Sequence, residues 1–195
     1  NVLVWFHNDL RLGDNPALVK AIESGNKVIP IYIWDENDSD LHTGSAGKWW
    51  LHQSLDRLSN RIEELGNKLV LRKGNPKSII EEFISQNNIS KIFMNRRFEP
   101  QIIERDEDIL SQMDHEITNG NLLFDPEDIR TKQDKQYTVF TPFWRNCKMQ
   151  TEPHEPLAIP SEIPAPDKFP ESLSLDEMGL LPKIKWYETF EKKWR

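Results

Sequence analysis

The sequence predicts an α/β fold, a Rossmann-like sheet of five parallel strands with helices on both faces, followed by an extended proline-rich linker. Three observations lead to this fold class. Short runs of β-branched and aromatic residues recur along the first two thirds of the chain. Segments with helical spacing of apolar residues lie between them. Alternation of this kind is typical of βαβ units, whose right-handed crossovers build a parallel sheet covered on both faces.

Five buried strands are predicted, and their order locates a ligand site. The strands are expected at residues 2–6, 27–34, 68–72, 91–95 and 121–124. With the order 3-2-1-4-5, the sheet reverses its direction of growth between the first and fourth strands. Ligands of open parallel sheets bind beyond the carboxyl ends of the strands at such a switch point. The loops after strands one and four, residues 7–15 and 95–106, are both rich in charged side chains and would face each other there.

Helix ends are predicted from capping residues. Asp14 or Asn15 caps a first helix, which stops before Gly25. Three further helices are expected over 47–65, from Asn75 onward, and over 100–113. In the second of these four helices, Trp50 is expected to pack on the sheet, while Trp49 presents a flat surface to a ligand.

Proline content divides the chain into segments. Seven prolines lie between residues 153 and 182, in a stretch with few periodic apolar residues. We therefore expect an α/β domain over residues 1–150 and an interdomain linker over 151–185. Residues 186–195 resemble the first turns of a helix in a further domain, so the chain is expected to be part of a longer protein.

Composition excludes several classes of function. The 25 Lys and Arg residues are outnumbered by 32 Asp and Glu residues, and the net charge of −7 provides no general attraction for nucleic acid. No apolar run approaches the length of a membrane helix. The lone cysteine, Cys147, excludes an internal disulfide and is expected to be a small, partly buried residue rather than a catalytic thiol. A cytoplasmic protein with no membrane partner is the expectation.

Motifs for phosphate and metal binding are missing from the sequence. The chain has neither G-x-G-x-x-G after the first strand nor a P-loop, and its five histidines are dispersed. Local structure explains other charged residues: Arg11 and Asp14 are expected to form an ion pair that locks the first loop. Glu99 can begin the fourth helix, where an acid is favoured by the helix dipole.

Four ordered motifs resemble those of the DNA photolyase and cryptochrome family. They are "WFHNDLRLGDNPAL", "GKWWLHQSL", "NRRFEP" followed by "ERD", and "YTVFTPFWR", and together they cover residues 1–150. The combination is most similar to bacterial photolyases of the alphaproteobacterial type that act on cyclobutane pyrimidine dimers (CPD), which are relatives of plant cryptochromes.

This resemblance implies a division of labour between domains. The N-terminal α/β domain of the family holds an antenna chromophore, and a following helical domain holds FAD, binds damaged DNA and splits the lesion under light. We therefore expect the light-harvesting domain of a monomeric CPD photolyase, inactive without its FAD domain. That domain and, through it, damaged DNA are the expected partners. A cryptochrome-like photoreceptor is the alternative, and a free-standing nucleotide-binding module is a more remote one.

The antenna site departs from the family pattern at several residues. His7 and Asn8 stand where many members carry arginines, and Gly47 stands where deazaflavin-binding members often have another. Gln101 and Ile102 stand where some folate-binding members have an acid, so the folate contacts of those members do not carry over. The other departures favour methenyltetrahydrofolate over deazaflavin, with a tryptophan such as Trp49 stacking on the pterin. Six residues are expected to bind the chromophore, although a role in loop structure is an equal alternative for each: Asn8, Asp9, Asp35, Lys48, Trp49 and Glu99.

Overall fold

A parallel sheet forms the centre of the computed structural model, which describes residues 1–36, 43–111, 113–149 and 154–194. Its strands are β1 (Val2–Phe6), β2 (Val28–Trp34), β3 (Val70–Lys73), β4 (Lys91–Asn95) and β5 (His115–Thr118). All neighbouring pairs are parallel, and the order is β3-β2-β1-β4-β5. The predicted fold class and strand order are confirmed.

The position of the fifth strand was predicted wrongly. Residues 121–124 do not form a strand, and Leu123 is 62% exposed. The strand is instead "HEIT", an edge strand whose polar Glu116 is held by Lys20 at 2.5 Å and Lys91 at 3.0 Å. An edge strand has one neighbour and needs only one apolar face, so a search for continuous apolar runs passes over it.

The described residues form six helices, of which the first four cover both faces of the sheet. They are α1 (Pro16–Glu23), α2 (Ser45–Glu64), α3 (Pro76–Asn87), α4 (Pro100–Leu110), α5 (Phe140–Met149) and α6 (Glu188–Trp194). Of the two candidates, Asn15 is the cap of α1, where its side chain accepts a hydrogen bond from Leu18 N. Asn75 caps α3 in the same way, accepting from Ser78 N.

Alternating strand residues build two cores. Val2, Val4 and Phe6 face the layer that contains α1 and α2, whereas Leu3 and Trp5 face the layer of α3 and α4. All five of these β1 side chains are buried. Such two-sided burial is expected of a central parallel strand and explains the unbroken apolar run at the start of the chain.

The proline-rich segment packs on the first of these cores. It has no helix or strand between residues 154 and 187, yet Ile163, Met178 and Leu180 are buried in the cluster formed by α1, α2 and the sheet. Backbone hydrogen bonds anchor it, since Val28 N donates to Pro164 O at 2.8 Å. The segment therefore completes the α/β unit, while the boundaries expected at residues 150 and 185 stay predictions.

Three further features concern the lone cysteine, metal ligands and membrane helices. Cys147 is 2% exposed and has a free thiol, so it is more deeply buried than expected. No group of three or more potential metal ligands occurs among the residues that the structure describes. In the same part of the chain, no helix has the length and apolar character required to cross a bilayer.

Replacing Ile163 with alanine tests whether the proline-rich segment belongs to the core. Ile163 is 0% exposed, so we expect Ile163→Ala to lower the free energy of unfolding by about 2 to 5 kcal/mol in urea denaturation. The control is Ile159→Ala in the same segment, where the side chain is 50% exposed and the expected loss is below about 1 kcal/mol. Equal losses for the two variants would contradict the docking of this segment.

Candidate ligand-binding crevice

The loops after β1 and β4 meet at the switch point of the sheet and enclose a small cavity of about 90 Å³. We call this cavity the crevice. Trp5, Trp34 and Ile102 contribute apolar surface. Its polar lining comes from both loops, from the end of β2 and from α4: His7, Asn8, Asp35, Arg97, Glu99 and Arg105. Ligands of drug size occupy pockets of about 300 to 1,000 Å³, so the crevice has room for only one end of such a ligand.

A buried amide network joins the segments around the crevice. Asn95, at the end of β4, is 1% exposed. Its Nδ2 donates to Asp9 Oδ2 at 2.5 Å and to Asn15 Oδ1 at 2.9 Å. Its Oδ1 accepts from Thr118 Oγ1 at 2.7 Å. One side chain thus connects the loop after β1, the cap of α1 and the end of β5.

Asp9 shapes the loop that carries the polar lining. It is 3% exposed, and its second oxygen accepts a hydrogen bond from His7 N at 2.8 Å. Because both carboxylate oxygens have partners within the chain, Asp9 holds His7 and Asn8 at the edge of the crevice. Its predicted contact with a chromophore stays a prediction.

The expected ion pair between Arg11 and Asp14 is wrong. The Arg11 guanidinium donates instead to the backbone carbonyl of Asp14 at 3.0 Å and to that of Gly120. The Asp14 carboxylate accepts a hydrogen bond from Leu157 N at 3.2 Å, in the proline-rich segment. Asp14 has a positive φ of 49°, in the left-handed region that aspartate adopts more readily than most residues other than glycine.

Two arginines of the crevice are held by acids of the same unit. Arg97 makes two hydrogen bonds to the Asp106 carboxylate, one of them Nε to Oδ2 at 2.9 Å, and the two side chains are only 11% and 6% exposed. Arg105 lies near both Asp106 and Asp35, at 3.6 and 3.9 Å. Burial raises the pKa of Asp106, and the hydrogen bonds from Arg97 oppose this rise. The pair therefore braces the loop after β4 against α4.

His7 is the most unusual polar group of the crevice. It is 8% exposed, and its ring centroid lies 4.5 Å from that of Trp5. Burial, together with the positive charges of Arg97 and Arg105, lowers the pKa of His7 well below its ordinary value, so the imidazole is neutral. Neither ring nitrogen has a hydrogen-bond partner within the described part of the chain.

The six predicted site residues are only partly brought together. Asn8, Asp35 and Glu99 line the crevice. Lys48 lies at its margin, with Nζ 5.8 Å from the centre of the Trp34 ring. Asp9 lies in the buried network, and Trp49 lies elsewhere, against the C-terminal segment.

The expected orientation of the tryptophan pair is reversed. Trp50 is 63% exposed, whereas Trp49 is 7% exposed and stacks on Tyr187 with ring centroids 5.9 Å apart. Phe190 meets the same indole edge-on at 5.6 Å. Helix periodicity shows that neighbouring side chains point in different directions, but not which direction finds a partner from residues 186–190.

Residues that the sequence did not single out complete the crevice. Trp5 was assigned to the strand core alone, and the pairing of Arg97 with Asp106 spans nine residues that no local rule connects. The sequence places Arg97 in the charged loop after β4, and this predicts that it lies at the switch point. The sequence does not predict that Asp106 is its partner.

Sheet order, switch point and crevice together define an α/β domain with a cavity at the carboxyl ends of its strands, which is where open parallel sheets bind their ligands. Comparison with known proteins makes the assignment specific. The sequence model described as DNA photolyase matches residues 2–166. The chain belongs to the DNA photolyase family.

Three relatives show how far the similarity extends. A deoxyribodipyrimidine photo-lyase of Agrobacterium fabrum is 39% identical, matching 99% of this chain and 41% of its own length. Cryptochrome-2 of Arabidopsis thaliana is 34% identical over 74% of this chain and 25% of its own length. The crystal structure of a bacterial class III photolyase from Agrobacterium tumefaciens superposes with a TM-score of 0.92 at 37% identity, covering 99% of this chain and 41% of that one.

The chain thus spans well under half the length of the relatives that it matches. Proteins of the photolyase family bind FAD and an antenna chromophore. The similarity confirms the family expected from the four sequence motifs.

Asn95→Asp tests the role of the buried network. The substitution keeps the shape of the side chain but replaces the donor to Asp9 with a carboxylate, so we expect unfolding free energy to fall by about 3 to 5 kcal/mol at pH 7. Two adjacent carboxylates share a proton readily, which raises a carboxyl pKa in the folded state. The deficit relative to wild type should therefore shrink as the pH falls toward 4.

Urea denaturation at several pH values measures this effect. The matched control is Asn60→Asp on the exposed side of α2, for which we expect a change within about 0.5 kcal/mol. A deficit for Asn95→Asp that does not change with pH would show that carboxylate repulsion is not its cause.

Proposed function

We propose that this chain is the antenna-chromophore domain of a photolyase that repairs cyclobutane pyrimidine dimers in light. The observation that carries this proposal is the crevice at the switch point, where a buried neutral imidazole lies beside Trp5 with no hydrogen-bond partner among the described residues. Aromatic walls with a few polar groups are typical of sites for flat cofactors. The chromophore supplies absorption of near-ultraviolet light and passes the excitation to the flavin.

The charges around the crevice favour methenyltetrahydrofolate. Among the described residues, three cationic side chains are balanced by three acidic ones: Arg97, Arg105 and Lys48 against Asp35, Glu99 and Asp106. The crevice therefore has no excess positive charge for an anionic hydroxydeazaflavin. The methenyl bridge of the folate carries a positive charge, which this balance accommodates.

Each predicted residue has a different part in this proposal. Asn8, Asp35 and Glu99 offer polar contacts from the lining, and Lys48 covers the outer side of Trp34. Asp9 fixes the loop after β1 through its hydrogen bonds with His7 N and Asn95 Nδ2. The stacking role expected of Trp49 is assigned instead to Trp34, because Trp34 lines the crevice and Trp49 is covered by residues 186–190.

Titration with 5,10-methenyltetrahydrofolate tests chromophore binding. We expect saturable binding with a shifted near-ultraviolet absorption band. Asn8→Arg adds a positive charge at the crevice and should weaken binding about fivefold to tenfold. Asn26→Arg, at an exposed position before β2, is the matched control and should leave the affinity unchanged.

Two results would count against this assignment. Absence of saturable binding by the wild-type chain would exclude chromophore binding by this domain alone, and the same result with full-length protein would exclude the antenna role. Equal weakening by Asn8→Arg and Asn26→Arg would show that the net charge of the chain, rather than the crevice, governs affinity.

The activity of the whole protein is part of the same proposal. FAD and damaged DNA are assigned to a following helical domain, which agrees with the net charge of −7 on this chain. The protein is proposed to be monomeric and cytoplasmic. A signalling role is the alternative that the 34% identity to a plant cryptochrome raises.

A repair assay separates these two roles. We expect full-length protein loaded with FAD to remove thymine dimers from an oligonucleotide under blue light, and to leave them intact in the dark. Loss of the dimer is measured by chromatography of the digested oligonucleotide. Protein that binds FAD but leaves the dimer intact in light would contradict repair and favour signalling.

A further inference from the structure

His7 is a buried polar group with unused hydrogen-bonding capacity. It is 8% exposed, lines the crevice, and has no partner for Nδ1 or Nε2 among the described residues. Buried polar groups are nearly always hydrogen-bonded, because leaving one unpaired is costly. Both nitrogens are covered by neighbouring atoms, so a ligand that displaces this cover can supply the missing partner.

The position of this imidazole is determined before any ligand arrives. His7 N donates to Asp9 Oδ1 at 2.8 Å, and Asp9 is in turn bound by Asn95. The ring lies against Trp5, with 4.5 Å between the centroids. The ring is thus placed in advance, and a ligand has only to displace the atoms that cover its nitrogens.

The surroundings of His7 select the neutral form of the ring. The positive charges of Arg97 and Arg105 act on it, and burial opposes a further charge. A neutral imidazole has one nitrogen that donates and one that accepts. An arginine, which the family signature often places here, has donors alone.

We infer that His7 is a specificity-determining residue of the crevice, accepting a hydrogen bond from a ring N–H or amino group of a flat heterocyclic ligand. The inference rests on the proposed function and names the ligand chemistry of that same site. A crevice with this acceptor selects a ligand that carries a hydrogen-bond donor, and an arginine at position 7, having donors alone, could not make that selection.

Titrations with 5,10-methenyltetrahydrofolate, whose pterin ring carries such donors, test this inference. His7→Phe keeps an aromatic ring beside Trp5 but removes both nitrogens, so affinity should fall tenfold or more. His7→Gln restores an acceptor and should recover most of the affinity. His7→Arg, which offers donors alone, should bind as weakly as His7→Phe.

The matched control is His52→Phe. Both ring nitrogens of His52 are also without a partner among the described residues, but His52 lies on α2 and does not line the crevice. We expect His52→Phe to bind the folate like wild type. Equal weakening by His52→Phe and His7→Phe would overturn the inference.

Stability of the ligand-free protein provides an independent measurement. If the imidazole is held for a ligand, His7→Phe should unfold at the same temperature as wild type or at a higher one. A lower melting temperature would show that His7 has a structural partner and would overturn the inference. If His7→Phe binds the folate as tightly as wild type, the inference is overturned and the proposed function stands. If the wild-type chain and the full-length protein bind no folate, the proposed function is overturned as well.

Discussion

A single buried amide holds the switch point together. Asn95 donates to Asp9 and Asn15 and accepts from Thr118, so that one side chain connects β4 with the loop after β1, the start of α1 and the end of β5. Each such bond contributes about 1 kcal/mol net, but an unpaired partner left behind costs about 1 to 3 kcal/mol. The network is therefore more important for the uniqueness of the loop geometry than for the total stability. The crevice depends on it, because Asp9 positions His7.

The positive charges of the crevice are neutralised by acidic side chains of the same unit. Arg97 is bound by Asp106 within the unit, and Arg105 lies between Asp106 and Asp35. A buried ion pair of this kind adds little net stability, because desolvation of the two charges offsets their attraction. Its effect is to fix two guanidinium groups beside His7 without leaving a surplus of positive charge. The proposal of a neutral or cationic ligand ring rests on this arrangement.

The C-terminal part of the chain is integrated with the α/β unit at two places. Ile163, Met178 and Leu180 fill the core above α1 and α2, although they come from a segment without helix or strand. Farther along, Tyr187 and Phe190 cover the Trp49 indole. Prolines keep the segment extended, so its apolar residues lack the periodicity by which helices and strands are recognised.

Local patterns were sufficient for most of the secondary structure. The apolar run of β1, the Asn caps of α1 and α3 and the alternation of strands and helices predicted a parallel sheet, and the strand order placed a crevice between the correct loops. Asn8, Asp35 and Glu99 line that crevice because they follow the ends of central strands. The edge strand β5 was misplaced, since one-sided burial needs few apolar residues.

The sequence by itself determined the fold class, the family and the loops that form the crevice, because these depend on periodicity, capping and motif order. Tertiary structure alone decided which tryptophan of the pair is buried, which acid binds Arg97, and that the ring nitrogens of His7 have no partner among the described residues. Each of these facts depends on contacts between segments far apart in the chain. No local pattern carries that information, since a side chain's partner is set by the packing of the elements around it.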